Sequence, residues 1–362
     1  MQLLQLLRQR RRILLLTMEQ VVRFAGSFTL QWHITHRCNL RCVHCYQTDY
    51  RSFVPWEELV RVLDQYEALL RAYRYKGQIN FTGGEPMTHP DLFRLLKEAR
   101  GRGMRTAVLT NGTLIGRAEA RELRRCGVCF VQVSLDGGEK AHDAIRGEGS
   151  FALAVRGLRA LRAEGIFTSV SFTAQRGNLR ELPKLARVCR DLGVDKLWFD
   201  RVIIPAAEDD HRLSLTPEEF QALIRKAAKL RRRYPVKCVR SLQFLPCETD
   251  RTVYRCSAGE RLLIVLADGS VMACRRLPIS VGSVKTSDLL TIYRDSPQMQ
   301  ALRESGIPAG CSSCSYAAQC AGGAKCVTYA RLGRWDLPDP DCPLAAMPPP
   351  SGAELSGGQF RI

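Results

Sequence analysis

The chain has 362 residues, 45% of them hydrophobic, which places it among globular proteins of two-domain size and excludes a disordered or collagen-like chain. No apolar run approaches the roughly 18 residues that a membrane-spanning helix needs, and the N-terminal MQLLQLLRQRRRILLL lacks the order of a secretory signal, so a cytoplasmic protein is expected. The formal net charge of +18 favours acidic partners, and 15 cysteines in such a chain argue for metal or redox chemistry before disulfides.

Residues 1–28 read as a basic amphipathic segment. From there to residue 206, short β-branched runs alternate with amphipathic stretches. The runs are FTLQWHIT, GQINFT, MRTAVLT, CFVQVSL, FTSVSFT and KLWFDRVII. Between them, PWEELVRVLDQYEALLRAY opens on a proline and keeps helical spacing, while HPDLFRLLKEARGRG and SFALAVRGLRALRAEG end in glycine stops. NLRELPKLARVCRDLG repeats the layout. Alternation of this kind predicts an α/β fold with a parallel sheet. A complete eight-unit barrel takes about 250 residues. The region 29–206 is shorter, so an open (β/α)6 partial, TIM-like barrel is expected, with a doubly wound sheet as the alternative. Residues 207–255 read as a helical bridge whose helix starts at Thr216-Pro-Glu-Glu. Residues 256–343 hold seven cysteines among short strands and turns, the look of a small domain built around metals. Residues 344–362 form a Pro/Gly/Ser-rich tail.

The chemistry concentrates at the ends of the expected strands. CNLRCVHC places Cys38, Cys42 and Cys45 after the first, and Gly83-Gly84-Glu85-Pro86 follows the second. Thr110-Asn111-Gly112 and Ser134-Leu135-Asp136-Gly137-Gly138 follow the third and fourth. Ligands of parallel α/β folds bind at the C-terminal ends of strands, so these loops point at one site. Three thiols are one short of a structural zinc or an ordinary iron–sulfur cluster. A zinc site would recruit His36 or His44 as its fourth ligand. Asp136 and Asp200 read as loop supports, and no side chain stands out as the catalytic acid or base.

Cys38-x3-Cys42-x2-Cys45 with Gly-Gly-Glu-Pro resembles the radical S-adenosylmethionine superfamily. The resemblance implies that Cys38, Cys42 and Cys45 bind three irons of a [4Fe-4S] cluster, and that S-adenosylmethionine chelates the fourth. Electron transfer to the sulfonium then yields methionine and a 5′-deoxyadenosyl radical. It further implies that Gly83, Gly84, Glu85 and Pro86 receive the methionine amino group. Ser134 and Arg146 would contact ribose and carboxylate, and the shelf Val202-Ile203-Ile204-Pro205 would meet adenine. Downstream, the spacing Cys256, Cys274, Cys311-x2-Cys314-x5-Cys320, Cys326 and Cys342 resembles the SPASM domain, which carries two auxiliary [4Fe-4S] clusters. By that resemblance Cys311, Cys314, Cys320 and Cys342 bind the distal cluster. Cys256, Cys274 and Cys326 bind the proximal one, with Cys247 or an open iron completing it. Where the family has a cysteine, this chain has Ala324.

Members of this subgroup modify polypeptides. The expected activity is therefore crosslinking, thioether formation, epimerisation or residue oxidation of a ribosomally made precursor peptide or protein. A flavodoxin or ferredoxin would supply electrons. The short stretch before the first strand leaves any leader-binding domain to a separate protein. The rivals are a radical enzyme acting on a tetrapyrrole or sugar, and a non-catalytic basic zinc or iron–sulfur protein that binds nucleic acid. The last is disfavoured because no basic run is interleaved with aromatics. Neither a membrane nor a nucleic-acid partner is expected.

Overall fold

The structure, a computed structural model, describes residues 26–45, 47, 49–50, 52–204, 212–234, 237–238, 253 and 255–345. Most of the basic segment, most of the tail, Pro205 and Cys247 lie outside the described residues.

All six expected strands are present: β1 (Ser27–His33), β2 (Lys76–Thr82), β3 (Arg105–Thr110), β4 (Phe130–Ser134), β5 (Thr168–Ala174) and β6 (Lys196–Arg201). They pair in parallel and in chain order. Every crossover therefore advances in the same direction, which carries the helices to one face and curls the sheet. A doubly wound sheet reverses its strand order, so that alternative is excluded. The fold is an α/β partial barrel.

Strand alternation sorts the two faces. In β1, Phe28, Leu30 and Trp32 are fully buried toward the helices, and Thr29, Gln31 and His33 occupy the opposite face. The outer layer comprises α1 (Trp56–Tyr73), α2 (Leu92–Gly101), α3 (Arg117–Cys126), α4 (Glu139–Arg146), α5 (Ser150–Ala163) and α6 (Leu182–Asp191). On α1, Leu59, Val62, Leu63, Tyr66, Leu69 and Leu70 form the buried stripe. The Tyr66 hydroxyl donates to the Phe28 carbonyl at 2.7 Å and accepts from the Gln78 amide at 3.2 Å, stitching the helix to β1 and β2. The sequence reading did not anticipate α3 and α4. α3 is RAEARELRRC, with too few apolar residues to show a periodicity, and α4 is only eight residues long.

The expected bridge contains α7 (Pro217–Arg233), whose Thr216 cap accepts from the Glu219 amide while Glu219 accepts from the Thr216 amide. A short β7 (Lys237–Cys238) then pairs with β6. The cysteine-rich region contributes β8 (Leu262–Val265), β9 (Ser270–Cys274) and β10 (Leu277–Ser283), followed by α8 (Leu289–Asp295), α9 (Pro297–Glu304), α10 (Ala317–Cys320) and α11 (Lys325–Leu332). β8 pairs in parallel with β1, so the cysteine-rich region extends the barrel sheet to ten strands. Pairing of this kind satisfies the backbone groups of an otherwise open β1 edge.

A buried ionic network joins the other side. Arg201, at the end of β6, donates to Asp339 at 2.5 Å and to Asp341 at 2.7 Å, and all three side chains are buried. Asp339 also accepts from the Ala324 amide, Arg331 pairs with Asp341, and the Gln221 side chain donates to the Asp341 carbonyl. Removing the buried guanidinium that holds both carboxylates strands buried charge, at a cost of about 3–5 kcal/mol. Arg201→Met is therefore expected to lower the urea unfolding free energy of the full chain by roughly that amount. A loss below about 1 kcal/mol would class the network with weak surface pairs.

Candidate functional site

The site grows from the loop after β1. The Gly84 amide donates to the Thr35 carbonyl at 2.8 Å, and the Glu85 amide donates to the Arg37 carbonyl at 2.7 Å. The two glycines permit this approach. A side-chain carbon on Gly83 would come within 2.5 Å of the Thr35 carbonyl oxygen, and one on Gly84 within 2.3 Å of that of Arg37. Gly83 also holds φ +148°, a value that favours glycine. The clearance these glycines give within the protein is to the cysteine loop itself.

Glu85 is fully buried, and its carboxylate is occupied within the protein. It accepts from the Met87 amide at 3.0 Å, the Thr110 hydroxyl at 2.7 Å and the Asn111 amide at 2.7 Å. Burial pushes its pKa up, and the Asn111, Thr110 and Met87 donors pull against that rise. The Glu85 side chain is thus a pin between the loops after β2 and β3. The same junction extends outward: Asn111 donates to Asn39, and Asn39 donates to Thr113. Pro86 is buried at the first position of the following turn.

Cys38, Cys42 and Cys45 lie together in the loop so pinned. The sulfurs accept hydrogen bonds: Cys38 from the Leu40 amide at 3.4 Å, Cys45 from the Gln47 amide at 3.4 Å and from the Tyr50 side chain, and Cys42 from the Arg146 guanidinium at 3.7 Å. Burial pushes Cys38 up to about 11 and raises Cys42 against the pull of Arg146. Ligation would therefore displace protons. Donors to all three sulfurs favour thiolate ligation, so the loop fits an iron–sulfur cluster. Among the described residues, no three His, Cys, Asp or Glu side chains converge to hold a single metal ion. A zinc ion bonds thiolates at about 2.3 Å and needs them close together, whereas cluster thiolates sit on separate irons.

Arg146 is buried and pairs with Asp136 at 2.6 Å. The structure thus places this expected carboxylate ligand against Asp136 and Cys42. Asp136 is also buried and accepts from the Thr173 amide at 2.9 Å. Its own burial is outweighed by Arg146, His44 and the Thr173 amide, so its carboxyl stays below the ordinary range. Two histidines adjoin the pair. His44 Nε2 is 3.9 Å from Asp136, and the His142 Nδ1 accepts from the Asp136 amide at 3.1 Å. Burial lowers both to about 4, so they are neutral at physiological pH. His142 is fully buried. Ser134 sits half-buried at the end of β4, and Ile204 lies half-buried just past β6, after buried Val202 and Ile203.

The other cysteines separate into two groups. Cys311, Cys314, Cys320 and Cys342 line one pocket together with Tyr316, Gly323 and Asp339. Burial raises Cys311 and Cys342, and takes Cys320 to about 12. Cys256, Cys274 and Cys326 neighbour one another elsewhere, and burial raises Cys256 and Cys326. Arg276, in the β9–β10 turn, pairs with Asp200 on β6 and lies beside Cys274 and Cys326. Arg275 adjoins His33 at the end of β1, where burial lowers the histidine to about 3. This turn therefore spans the seam between the first and sixth strands. Sequence reading missed it, although the adjacent arginines after Cys274 were a visible signal. Cys126 and Cys189 are buried, and Cys129 is half-buried.

A partial barrel with three thiols at the end of its first strand, joined to a cysteine-rich annex, defines a class of iron–sulfur radical enzymes. Residues 32–189 match the radical SAM superfamily, and residues 256–320 match SPASM, an iron–sulfur cluster-binding domain. Residues 32–189 thus carry a radical SAM domain and residues 256–320 a SPASM domain. It is 35% identical over 177 residues to the Fe-coproporphyrin III synthase of Methanosarcina barkeri, covering 48% of this chain and 43% of that protein. It is 25% identical over 337 residues to the AdoMet-dependent heme synthase of that organism, covering 86% and 95%. Against the PqqA peptide cyclase of Granulibacter bethesdensis it is 26% identical over 326 residues, covering 86% of each. The structure of anSMEcpe with bound AdoMet and a peptide superposes with a TM-score of 0.70 at 17% identity, covering 86% of this chain and 92% of that one. No helix among the described residues is long and apolar enough to cross a membrane.

Gly84→Ala should displace the cysteine loop by forcing a carbon against the Arg37 carbonyl. After anaerobic reconstitution, iron analysis should show about four fewer irons per chain than wild type. Full iron content in this variant would contradict the packing argument.

Proposed function

We propose that the chain cleaves S-adenosylmethionine reductively and uses the resulting radical on a carboxylate-bearing tetrapyrrole. The observation that carries the first part is the three-thiol loop docked on Gly83-Gly84 and pinned through Glu85. Cys38, Cys42 and Cys45 would hold the cofactor-binding cluster. The backbone of Gly83 and Gly84, with Ser134 and Ile204, would seat the cofactor. Cys311, Cys314, Cys320 and Cys342 would hold a distal cluster, and Cys256, Cys274 and Cys326 a proximal one, with Cys247 as candidate fourth ligand. When bound, cluster and cofactor supply one-electron cleavage of the sulfonium, giving methionine and a 5′-deoxyadenosyl radical that takes a hydrogen atom from the substrate. A low-potential flavodoxin or ferredoxin would provide the electron.

The chain's own part is to bind and orient. Arg275 and Arg276 sit in the seam between β1 and β6, next to Cys274. Their guanidinium groups suit carboxylate recognition. The +18 net charge favours a polyanionic substrate. Two of the relatives described above are named for coproporphyrin and heme. This reading departs from the peptide substrate expected from sequence. A second reading, modification of a precursor peptide assisted by a separate leader-binding protein, is favoured by the similarity to a peptide cyclase over 86% of the chain.

Anaerobically reconstituted protein with S-adenosylmethionine and dithionite should release 5′-deoxyadenosine. Release should accelerate at least about tenfold with coproporphyrin III, with or without iron, a change of about 1.4 kcal/mol in the barrier. Acceleration only by a co-encoded peptide would support the second reading. Zinc in place of iron, with no 5′-deoxyadenosine, would overturn both.

A further inference from the structure

The three sulfurs of the Cys38–Cys45 loop are not equivalent. Cys38 and Cys45 accept from neutral backbone amides of their own loop. Cys42 accepts from a cation, the Arg146 guanidinium, which reaches it from α4. The approach is fixed on both sides. The Val43 amide donates to the Ile145 carbonyl at 2.9 Å, so the loop and the end of α4 are joined one residue away from the contact. Asp136, after β4, grips the Arg146 Nε at 2.6 Å and is itself held by the Thr173 amide of β5. Around the pair stand His44 and His142, which burial keeps neutral, and Cys45, with Glu85 acting on Arg146 and Asp143 on His142 more weakly.

We propose that Arg146 is a positioning residue that sets the reduction potential of the cluster on Cys38, Cys42 and Cys45, and that Asp136 governs how much of its charge reaches the Cys42 sulfur. The inference rests on the reading that these cysteines hold a cluster. Hydrogen bonds and net charge at ligand sulfurs set cluster potentials. A cation donating to one sulfur stabilises the reduced form, which carries one more negative charge, and so raises the potential. The neighbouring carboxylate opposes it. The two residues therefore act with opposite signs, although they form one ion pair.

The test is a potentiometric titration of the anaerobically reconstituted full chain without S-adenosylmethionine, followed by electron paramagnetic resonance. The signal absent from a Cys42→Ala protein is assigned to this cluster. Arg146→Gln should lower the reduced-to-oxidised ratio at fixed potential about tenfold, which is about 59 mV for a one-electron couple. Arg146→Lys should recover part of that shift. Asp136→Asn should move the potential the other way. If Arg146→Gln fails to retain iron, Arg146→Lys and Asp136→Asn still decide, through the smaller downward and the upward shift. Unmoved potentials, or the same direction from Arg146→Lys or Arg146→Gln and from Asp136→Asn, would overturn the inference and leave a merely structural pair. Absence of any Cys42-dependent signal in the wild type would overturn the cluster reading itself.

Discussion

A buried carboxylate holds the site together. Glu85 accepts hydrogen bonds from its own loop and from Thr110 and Asn111 after β3, while its amide donates to the loop after β1. Three strand-end loops thereby become one body. The anion is tolerable in the interior because three donors converge on it. Glycine is required beside it because the loops approach until backbone meets backbone. The cysteines hang on that junction, so their placement depends on contacts made by residues that carry no sulfur.

The annex is fastened to the barrel at both edges by different physics. On the β1 side, β8 adds backbone hydrogen bonds and extends the sheet. On the β6 side, Arg201 meets two aspartates that closely precede Cys342 in sequence. Asp200 and Arg201, neighbours on β6, point to opposite faces. The first reaches Arg276 beside Cys274, and the second reaches the segment before Cys342. One short strand end therefore bonds to residues beside both C-terminal cysteine groups.

Much of this was legible in the sequence, for local reasons. Strands β1 to β6 announce themselves as β-branched runs, and the cysteine spacings are contiguous or nearly so. The two cysteine groups assigned by resemblance are also the two that lie together in the fold. What was not legible depends on distant partners. The donors that hold Glu85, Thr110 and Asn111, lie 25 and 26 residues away. The contact of Arg146 with Cys42 spans 104 residues. Buried polar residues take their roles from whatever the fold brings opposite them, and no spacing rule reports that. The substrate was not legible either: the sequence left peptide and tetrapyrrole both open, because the shared motifs serve the cofactor and not the substrate.

The central claim is that three separate cysteine groups hold iron in one chain. Anomalous diffraction at the iron and zinc edges, from crystals of anaerobically reconstituted protein, tests it directly. The account predicts iron at Cys38, Cys42 and Cys45, at Cys256, Cys274 and Cys326, and at Cys311, Cys314, Cys320 and Cys342. A lone zinc ion on the first group, with His36 or His44 completing its coordination, would contradict it.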